Sequence, residues 1–408
     1  MNNLPCNSVG IDVSKGKSTI AVMRPLGEII KRPFEIRHSQ SDLKKLADIL
    51  NSLEGDVRIV MEYTGTYYQP IARFLYDSGF FVSVVHAKLI HDFANNSIRN
   101  VKTDKADALK IATYGITHWT DLRPYSTEDD TRILLKTYNR QCNFFIDQYV
   151  AAKNRLIGLM DQVMPGVNEL FHSPRRPSDG HTKWIDFAGR FWHCNYITDS
   201  SLKQFTETYI SWCKKNHFIA SAEKAKEIYS WARECVPTLP KNSLTKQMVK
   251  QMVQNVQHLA EHVNAIQKEM DILASSLPEH AIVMGMYGVG RILGAQLMAE
   301  IGDVRRFAHK ANLVAYAGLD APPYQSGAYE SHNRHISKRG STDLRKVLFL
   351  IVSVIYEKQN SNDPVFQFMY RKRSEGKPYY VYIVAGCNKF LRIYYARVKE
   401  HLNALETA

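Results

Sequence analysis

The residues of this 408-residue chain best placed to do chemistry are four carboxylates, Asp12, Glu62, Asp104 and Asp107. Asp12 lies in Gly10-Ile11-Asp12-Val13-Ser14, an apolar run of strand character, and a second such run, Val57–Tyr63, holds Glu62 near its end. A carboxylate within an apolar strand is costly unless a charge or a donor meets it. Asp104 and Asp107 are three apart at the start of a segment with helical spacing, so both fall on one helix face. Four such oxygen donors can converge on one or two divalent ions. Hard oxygen ligands without His or Cys favour Mg²⁺, with Mn²⁺ as a substitute. Ions held in this way activate a nucleophile and neutralise charge on a phosphodiester. Each acid also has a plain structural use. Asp12 can cap a turn, Glu62 can pair with a lysine, and Asp104 and Asp107 can be first-turn acids stabilised by the helix dipole.

The second chemical feature is Ser326, in Tyr324-Gln325-Ser326-Gly327, between Pro322-Pro323 and Ile336-Ser337-Lys338-Arg339-Gly340. A Ser-Gly pair in a loop is ordinarily a turn, and by residue chemistry alone Ser331, Ser337 and Ser341 are equal candidates for a nucleophile. Lys338, Arg339, Arg345 and Lys346 suit a phosphate clamp. Upstream, Gly288-Val289-Gly290-Arg291 has the Gly-x-Gly turn of helix-hairpin-helix modules, where amides at a helix start can hold a DNA phosphate. An ordinary interhelical turn accounts for the same residues. Arg291, Arg305, Arg306 and Lys310 favour phosphate contact there. Towards the end of the chain Arg371, Lys372, Arg373 and Lys377, then Lys389, Arg392, Arg397 and Lys399, interleave with Tyr379, Tyr380, Tyr382, Tyr394 and Tyr395. Basic and aromatic residues so mixed suit nucleic acid, and a tyrosine-rich packing face is the alternative.

These groups need elements to position them. Ser8–Val13 and Ser18–Met23 read as hairpin strands joined at Ser14-Lys15-Gly16-Lys17, with Glu28–Arg37 as a third strand. Helical spacing follows from Ser41 to Leu53, then a strand at Val57–Tyr63, a helix at Tyr67–Ser78 and a strand at Phe80–His86. Lys88–Ser97 and Thr103–Thr117 read as helices. Hairpin strands followed by strand–helix–strand imply an α/β domain of the ribonuclease H/RuvC kind over residues 1–125. Residues 126–277 read as a helical, coiled-coil-like region, interrupted at about 165–240 by an irregular aromatic-rich insertion of no assignable structure. Within it, Leu244 to Leu277 carries Val249, Val253, Val256, Leu259, Val263, Ile266, Met270 and Leu273 at helical spacing. That stripe serves equally as a dimer contact or as packing within its own domain. Residues 278–408 read as a mainly α domain holding the Gly-x-Gly turn, Ser326 and the basic helices.

Bulk composition narrows the partners. Hydrophobic residues make up 45% of the chain, enough for buried cores in two or three domains. Lys and Arg outnumber Asp and Glu by 53 to 40, a net +13, which points to a polyanionic partner and foremost to nucleic acid. The six cysteines are scattered without a CxxC pair, as in a reduced cytoplasmic protein. Residues 1–10 lack the pattern of a signal peptide, and no apolar run approaches 18 residues, so no membrane span is expected.

Together, certain segments resemble a known family. GIDVSK at 10–15, MEYTGTYYQPIARFL at 61–75, NVKTDKADALKIA at 100–112, GVGRILGAQLMAEIGDVRRF at 288–307, AYAGLDAPPYQSG at 315–327 and ISKRGSTDLRKVLF at 336–349 are similar to insertion-sequence transposases with a RuvC-like DEDD domain. These are the relatives of Piv invertase described as bridge-RNA-guided recombinases. The resemblance spans about two-thirds of the chain in the family's order. It implies that Asp12, Glu62, Asp104 and Asp107 are metal ligands and that Ser326 is the catalytic serine. It further implies Mg²⁺-dependent cleavage and exchange of donor and target DNA through a serine–DNA intermediate. A structured bridge RNA and a homodimer that pairs into a tetramer are implied partners. Two departures stand out: Ala321 occupies a position where the family usually has proline, and the 165–240 segment is longer and more aromatic.

Three other readings share some of these residues. A structure-selective nuclease such as a junction resolvase would use the acidic site and water, with no role for Ser326. A nucleic-acid-binding protein with a degenerate site would not carry all four carboxylates. A sugar-kinase relative would need an ATP-phosphate loop, and the sequence has none.

Overall fold

The computed structural model describes residues 6–63, 65–94, 103–125, 129–172, 174–322, 325–326, 329–330 and 335–407. The chain divides into two compact units, Met1–Thr127 and Glu128–Ala408.

The first unit is built on strands β1 (Cys6–Ser14), β2 (Lys17–Met23) and β3 (Ile29–Arg37), followed by helix α1 (Gln40–Asn51). Strand β4 (Asp56–Glu62), helix α2 (Gln69–Asp77), strand β5 (Phe81–Val85), and helices α3 (Ala87–Ala94) and α4 (Asp104–Thr117) complete it. The five strands form one sheet in the order β3-β2-β1-β4-β5. Strand β2 runs antiparallel to both β1 and β3, while β4 lies parallel to β1 and β5 parallel to β4. This is the α/β pattern read from the sequence. Alternation sorts the faces: Val9, Ile11 and Val13 of β1 join Ile59 and Met61 of β4 in a core closed by Leu43, Leu46 and Leu50 of α1 and Ile71 and Leu75 of α2. On the opposite face Val60 packs with Ile111 and Tyr114 of α4. Serine and threonine begin the helices that matter, since the Ser39 hydroxyl accepts from Asp42 N and the Thr103 hydroxyl from Ala106 N. The helix expected over Lys88–Ser97 is seen as α3, and residues 95–97 lie outside the described residues.

The second unit is helical. Its spine is α5 (Asp130–Val163), which is followed by α6 (Lys183–Arg190), α7 (Cys194–Thr198), α8 (Leu202–Lys215), α9 (Ala222–Glu234) and the second long helix, α10 (Ser243–Ser275). Next come α11 (His280–Met284), α12 (Arg291–Ile301), α13 (Lys310–Tyr316), the short strands β6 (Gln325–Ser326) and β7 (Tyr329–Glu330), α14 (Thr342–Lys358), α15 (Pro364–Ser374) and α16 (Tyr379–Thr407). Helices α5 and α10 pack antiparallel. Leu135 and Cys142 share a core with Val263 and Met270, while Leu156 and Met160 share another with Val249 and Val253.

Two sequence readings are settled by this packing. The apolar stripe of 244–277 is buried within the chain, largely against α5, so of its two readings packing is the one observed. The 165–240 segment is not irregular: helices α6 to α9 close an aromatic core over one end of the spine. Phe187, Phe191, Phe205, Tyr209 and Trp212 are all buried there, with Phe187 and Phe191 ring centroids 4.7 Å apart. Aromatic rings bury large areas each, which suits a small core assembled from short helices.

Candidate active site

Strands β1 and β4 and helix α4 carry the four carboxylates. Ser8, Gly10 and Asp12 share the β1 face opposite Val9, Ile11 and Val13. At Gly10 the α4 backbone sits directly on the strand. A Cβ on Gly10 would lie 2.2 Å from Ala108 O and 2.3 Å from Ala112 N, so only glycine admits this contact. The parallel pairing of Gly10 with Val60 and Ile11 with Met61 carries Asp12 and Glu62 to neighbouring ends of β1 and β4. Val60 faces α4 and Glu62 follows two residues later, so it points to the same side. The first turn of α4 supplies Asp104 and Asp107.

The electrostatics report the convergence. Burial first, and then the charges of Asp104, Asp107 and Glu62, together push the Asp12 carboxyl up from 3.8 to about 6. Glu62 is raised too, first by burial and then by Asp107, while His86 and His91 act in the opposite direction. One cation is already engaged, since Lys110 Nζ donates to Asp107 Oδ1 at 2.9 Å one turn along α4.

Asp12 and Glu62, raised by burial and by the acids around them, sit in a concentration of negative charge that suits a cation. All the donors are carboxylate oxygens, which suits a hard divalent ion. In the geometry observed they are gathered but not closed: among the described residues no three His, Cys, Asp or Glu side chains stand in an arrangement that could hold a metal ion. The donor chemistry fits a divalent cation, and final closure would need side-chain rotation such as release of Asp107 from Lys110.

The second unit carries the other predicted residues. Ser326 lies in β6, where Ser326 pairs with Tyr329 and Gln325 with Glu330 in a two-stranded antiparallel ladder. Its neighbours Tyr324, Gly327 and Ser331 lie outside the described residues. The stem of this excursion is knitted across 316–320 and 337–341. Ser341 N donates to Tyr316 O at 2.8 Å, Ser337 N to Asp320 O at 2.7 Å, and Lys338 N to Gly318 O at 3.1 Å. The Ser337 hydroxyl also donates to Asp320 Oδ1 at 2.5 Å. Arg345 is spent locally, donating to the carbonyls of Ala317 and Gly340, each at 3.0 Å. Lys338 and Arg339 are exposed.

The Gly-x-Gly turn does lie between helices α11 and α12, but its first glycine has a packing role. Gly288 has φ +81°, and a Cβ there would meet Ile355 Cγ1 at 2.4 Å. Gly290 is the N-cap of α12, has open space around its Cα, and is followed by exposed Arg291. Arg305 is paired with Asp303 at 2.7 Å and also with Glu406. Arg306 stacks over the rings of Phe307 and Tyr316 at 4.6 and 4.7 Å. On α16 Lys389 is half-buried, while exposed Arg392 donates to Asn388 Oδ1 at 2.8 Å.

Comparison with known proteins decides the family. Residues 9–165 match a family model described as Transposase, of the DEDD IS110 type, and residues 280–367 match the Transposase IS116/IS110/IS902 family. The chain belongs to the IS110/IS116 family of DEDD transposases. It is a DNA-cleaving and DNA-recombining enzyme. The pilin gene-inverting protein of Moraxella bovis is 21% identical over 350 residues, which are 85% of this transposase and 81% of that protein. The IS116 44.8 kDa protein of Streptomyces clavuligerus is 22% identical over 371 residues, 90% of this transposase and 88% of its relative. Among solved structures, T. thermophilus RuvC in complex with a Holliday junction substrate aligns at a TM-score of 0.24 and 11% identity, covering 29% of this transposase and 99% of that chain.

Two residues beside the acidic cluster of the transposase escaped the sequence reading. His86 follows β5 directly, and β5 pairs with β4 at Val85 and Glu62. His91 sits in the last turn of α3. Both act electrostatically on Glu62. The available signal was position: His86 ends a parallel strand next to a strand ending in a carboxylate, and strand ends of such sheets collect functional groups.

Proposed function

We propose that this transposase cleaves and rejoins DNA strands with a ribonuclease H-type site formed by Asp12, Glu62, Asp104 and Asp107, which hold Mg²⁺, together with Ser326 as nucleophile. The observation that carries the metal half is the rise of the Asp12 carboxyl to about 6 beside three other acids, a charge concentration that a divalent cation relieves. Bound there, Mg²⁺ would polarise the scissile phosphate and neutralise its developing charge. Asp12 and Glu62 lie at strand ends and Asp104 and Asp107 on a helix turn, so the backbone positions of the four donors are fixed and only their side chains would turn to close on an ion.

The serine half rests on the match of AYAGLDAPPYQSG to the family pattern. The Ser326 hydroxyl attacks phosphorus, forming an O–P ester as the bond to the departing deoxyribose oxygen breaks. The serine proton passes to a base, and the departing oxygen becomes a hydroxyl. Attack of a new strand's hydroxyl reverses these events and restores Ser326, so rejoining needs no external energy. Arg291 at the α12 start, with Lys338 and Arg339 beside the serine stem, are proposed to contact backbone phosphates. The guide is a structured bridge RNA read by shape and backbone, and the working assembly is a homodimer that pairs into a tetramer.

The test is a denaturing gel of purified protein with labelled donor DNA, Mg²⁺ and RNA transcribed from the flanks of the gene. Wild type forms a protein–DNA adduct, and Ser326→Ala and Asp12→Ala both abolish it. Cleavage that survives Ser326→Ala with no adduct in any sample would refute the serine step and leave a metal-dependent nuclease. Omitting the RNA tests guidance in the same experiment.

A further inference from the structure

A chain of aromatic rings crosses the surface formed by α14, α15 and α16. Phe349 stacks with Tyr380 at 6.3 Å and an interplanar angle of 25°. Tyr380 meets Tyr379 at 5.3 Å, Tyr379 meets Tyr356 at 6.2 Å, Tyr356 meets Phe366 at 6.4 Å, and Phe366 stacks with Tyr370 at 6.0 Å and 29°. A packing face would bury these rings, yet Tyr380 is 71% exposed, Tyr370 57% and Tyr379 42%. Exposed Leu350 and Val381 extend the apolar surface beside them.

Charge says what such a strip would meet. Between residues 356 and 382 the basic side chains are Lys358, Arg371, Lys372, Arg373 and Lys377, against Glu357, Asp363 and Glu375. Two of the acids are occupied: Asp363 caps α15 by accepting from Val365 N and Phe366 N, and Glu375 pairs with Lys372 at 2.7 Å. Exposed Arg373 donates to the Tyr356 hydroxyl at 2.7 Å, which sets a guanidinium against the middle of the ring chain. Arg371 and Lys377 are exposed as well. Exposed aromatic rings next to surplus cations match unpaired bases joined by phosphates. A duplex does not fit as well, because its bases are already stacked on one another. Recombination of DNA strands, the activity of this family, passes through unpaired segments.

We propose that the strip formed by Tyr370, Tyr379 and Tyr380 is a stacking platform for unpaired bases of single-stranded DNA, with Arg371, Arg373 and Lys377 meeting its phosphates. The platform belongs to the second unit and does not depend on the serine or carboxylate chemistry proposed above.

The experiment uses the full chain and a fluorescent 12-nucleotide thymidine DNA, with a duplex of the same length and a uridine RNA as parallel arms. By anisotropy, Tyr380→Ala weakens the single-stranded DNA about 5–10-fold, and Tyr379→Ala with Tyr380→Ala weakens it further. Tyr380→Phe restores binding, the duplex changes less than about twofold, and the melting temperature of each variant stays at the wild-type value. Replacing one thymidine with 5-iododeoxyuridine and irradiating gives a cross-link that mass spectrometry maps to these tyrosines. Equal loss on duplex, no loss in the alanine variants, loss confined to the RNA, or a cross-link mapped elsewhere would each overturn the proposal. So would a change of oligomeric mass with unchanged DNA binding, which would make the strip a protein interface.

Discussion

The two units hold their acids in opposite ways. In the second unit Glu279 and Glu300 are almost fully buried, 1% and 0% exposed, and each is met. Arg132 grips Glu279 with both guanidinium nitrogens while its Nε pairs with Asp129 at 2.8 Å. Glu300 accepts from Asn139 and from the Ser341 hydroxyl, each at 2.9 Å. In the first unit Asp12, Glu62 and Asp107 are half-buried and Asp104 is exposed, the charges of the other three raise Asp12, and among the described residues Lys110 pairs with Asp107. A met charge holds helices together, whereas a cluster of like charges costs stability that a bound cation would relieve.

The largest effect should come from breaking a met charge. Arg132→Met leaves Glu279 buried and unpaired, and should lower the stability of the second unit by about 3–5 kcal/mol in chemical denaturation. A loss below about 1 kcal/mol would show that the pair is not the clamp the geometry indicates. Next is the scaffold of the unmet cluster. Gly10→Ala forces α4 off the strand and should cost about 1–3 kcal/mol, abolishing DNA cleavage with it. Retained cleavage would mean that the spacing of Asp12 from Asp104 and Asp107 is not critical.

A change with the opposite sign sharpens the comparison further. The folded state raises the Asp12 carboxyl from 3.8 to about 6, so ionised Asp12 destabilises the metal-free protein. No such cost exists below pH 4; it grows through the interval from 4 to 6 and is complete above it. Asp12→Asn should therefore stabilise the metal-free protein at pH 8 by about 1 kcal/mol, the solvent-screened part of the shift, and leave it unchanged at pH 4. Destabilisation at pH 8 would place Asp12 among the met charges. Mg²⁺ competes with the same proton, so the rise in melting temperature on adding Mg²⁺ should be larger at pH 8 than at pH 5 and absent in Asp12→Asn. The smallest effect concerns the serine stem. Ser337→Ala removes one hydroxyl bond to Asp320 and should cost about 1 kcal/mol by thermal melting.

Much of the first unit was legible locally. The hairpin strands, the strands ending near Glu62 and His86, and the Thr103-capped helix follow from alternation, capping and helical spacing, which are properties of a few consecutive residues. Sequence alone also placed Asp104 and Asp107 on one helix face and Gly288 in a turn. It could not say that Gly10 is glycine because α4 lies on it, nor that Gly288 is glycine because Ile355 lies beside it, since both facts depend on segments far along the chain. The same reason hid the fold of 165–240. Short helices with aromatic rings on one side have little periodicity of their own, and only closure over α5 and α10 tells buried ring from surface ring. The stripe at 244–277 was visible, but its partner was not, because one apolar helix face suits a neighbour in the same chain or in another copy. Local pattern determined which elements form and which residues share a face. Tertiary packing decided which charges are met, because a buried charge takes its free energy from whatever the distant chain brings beside it.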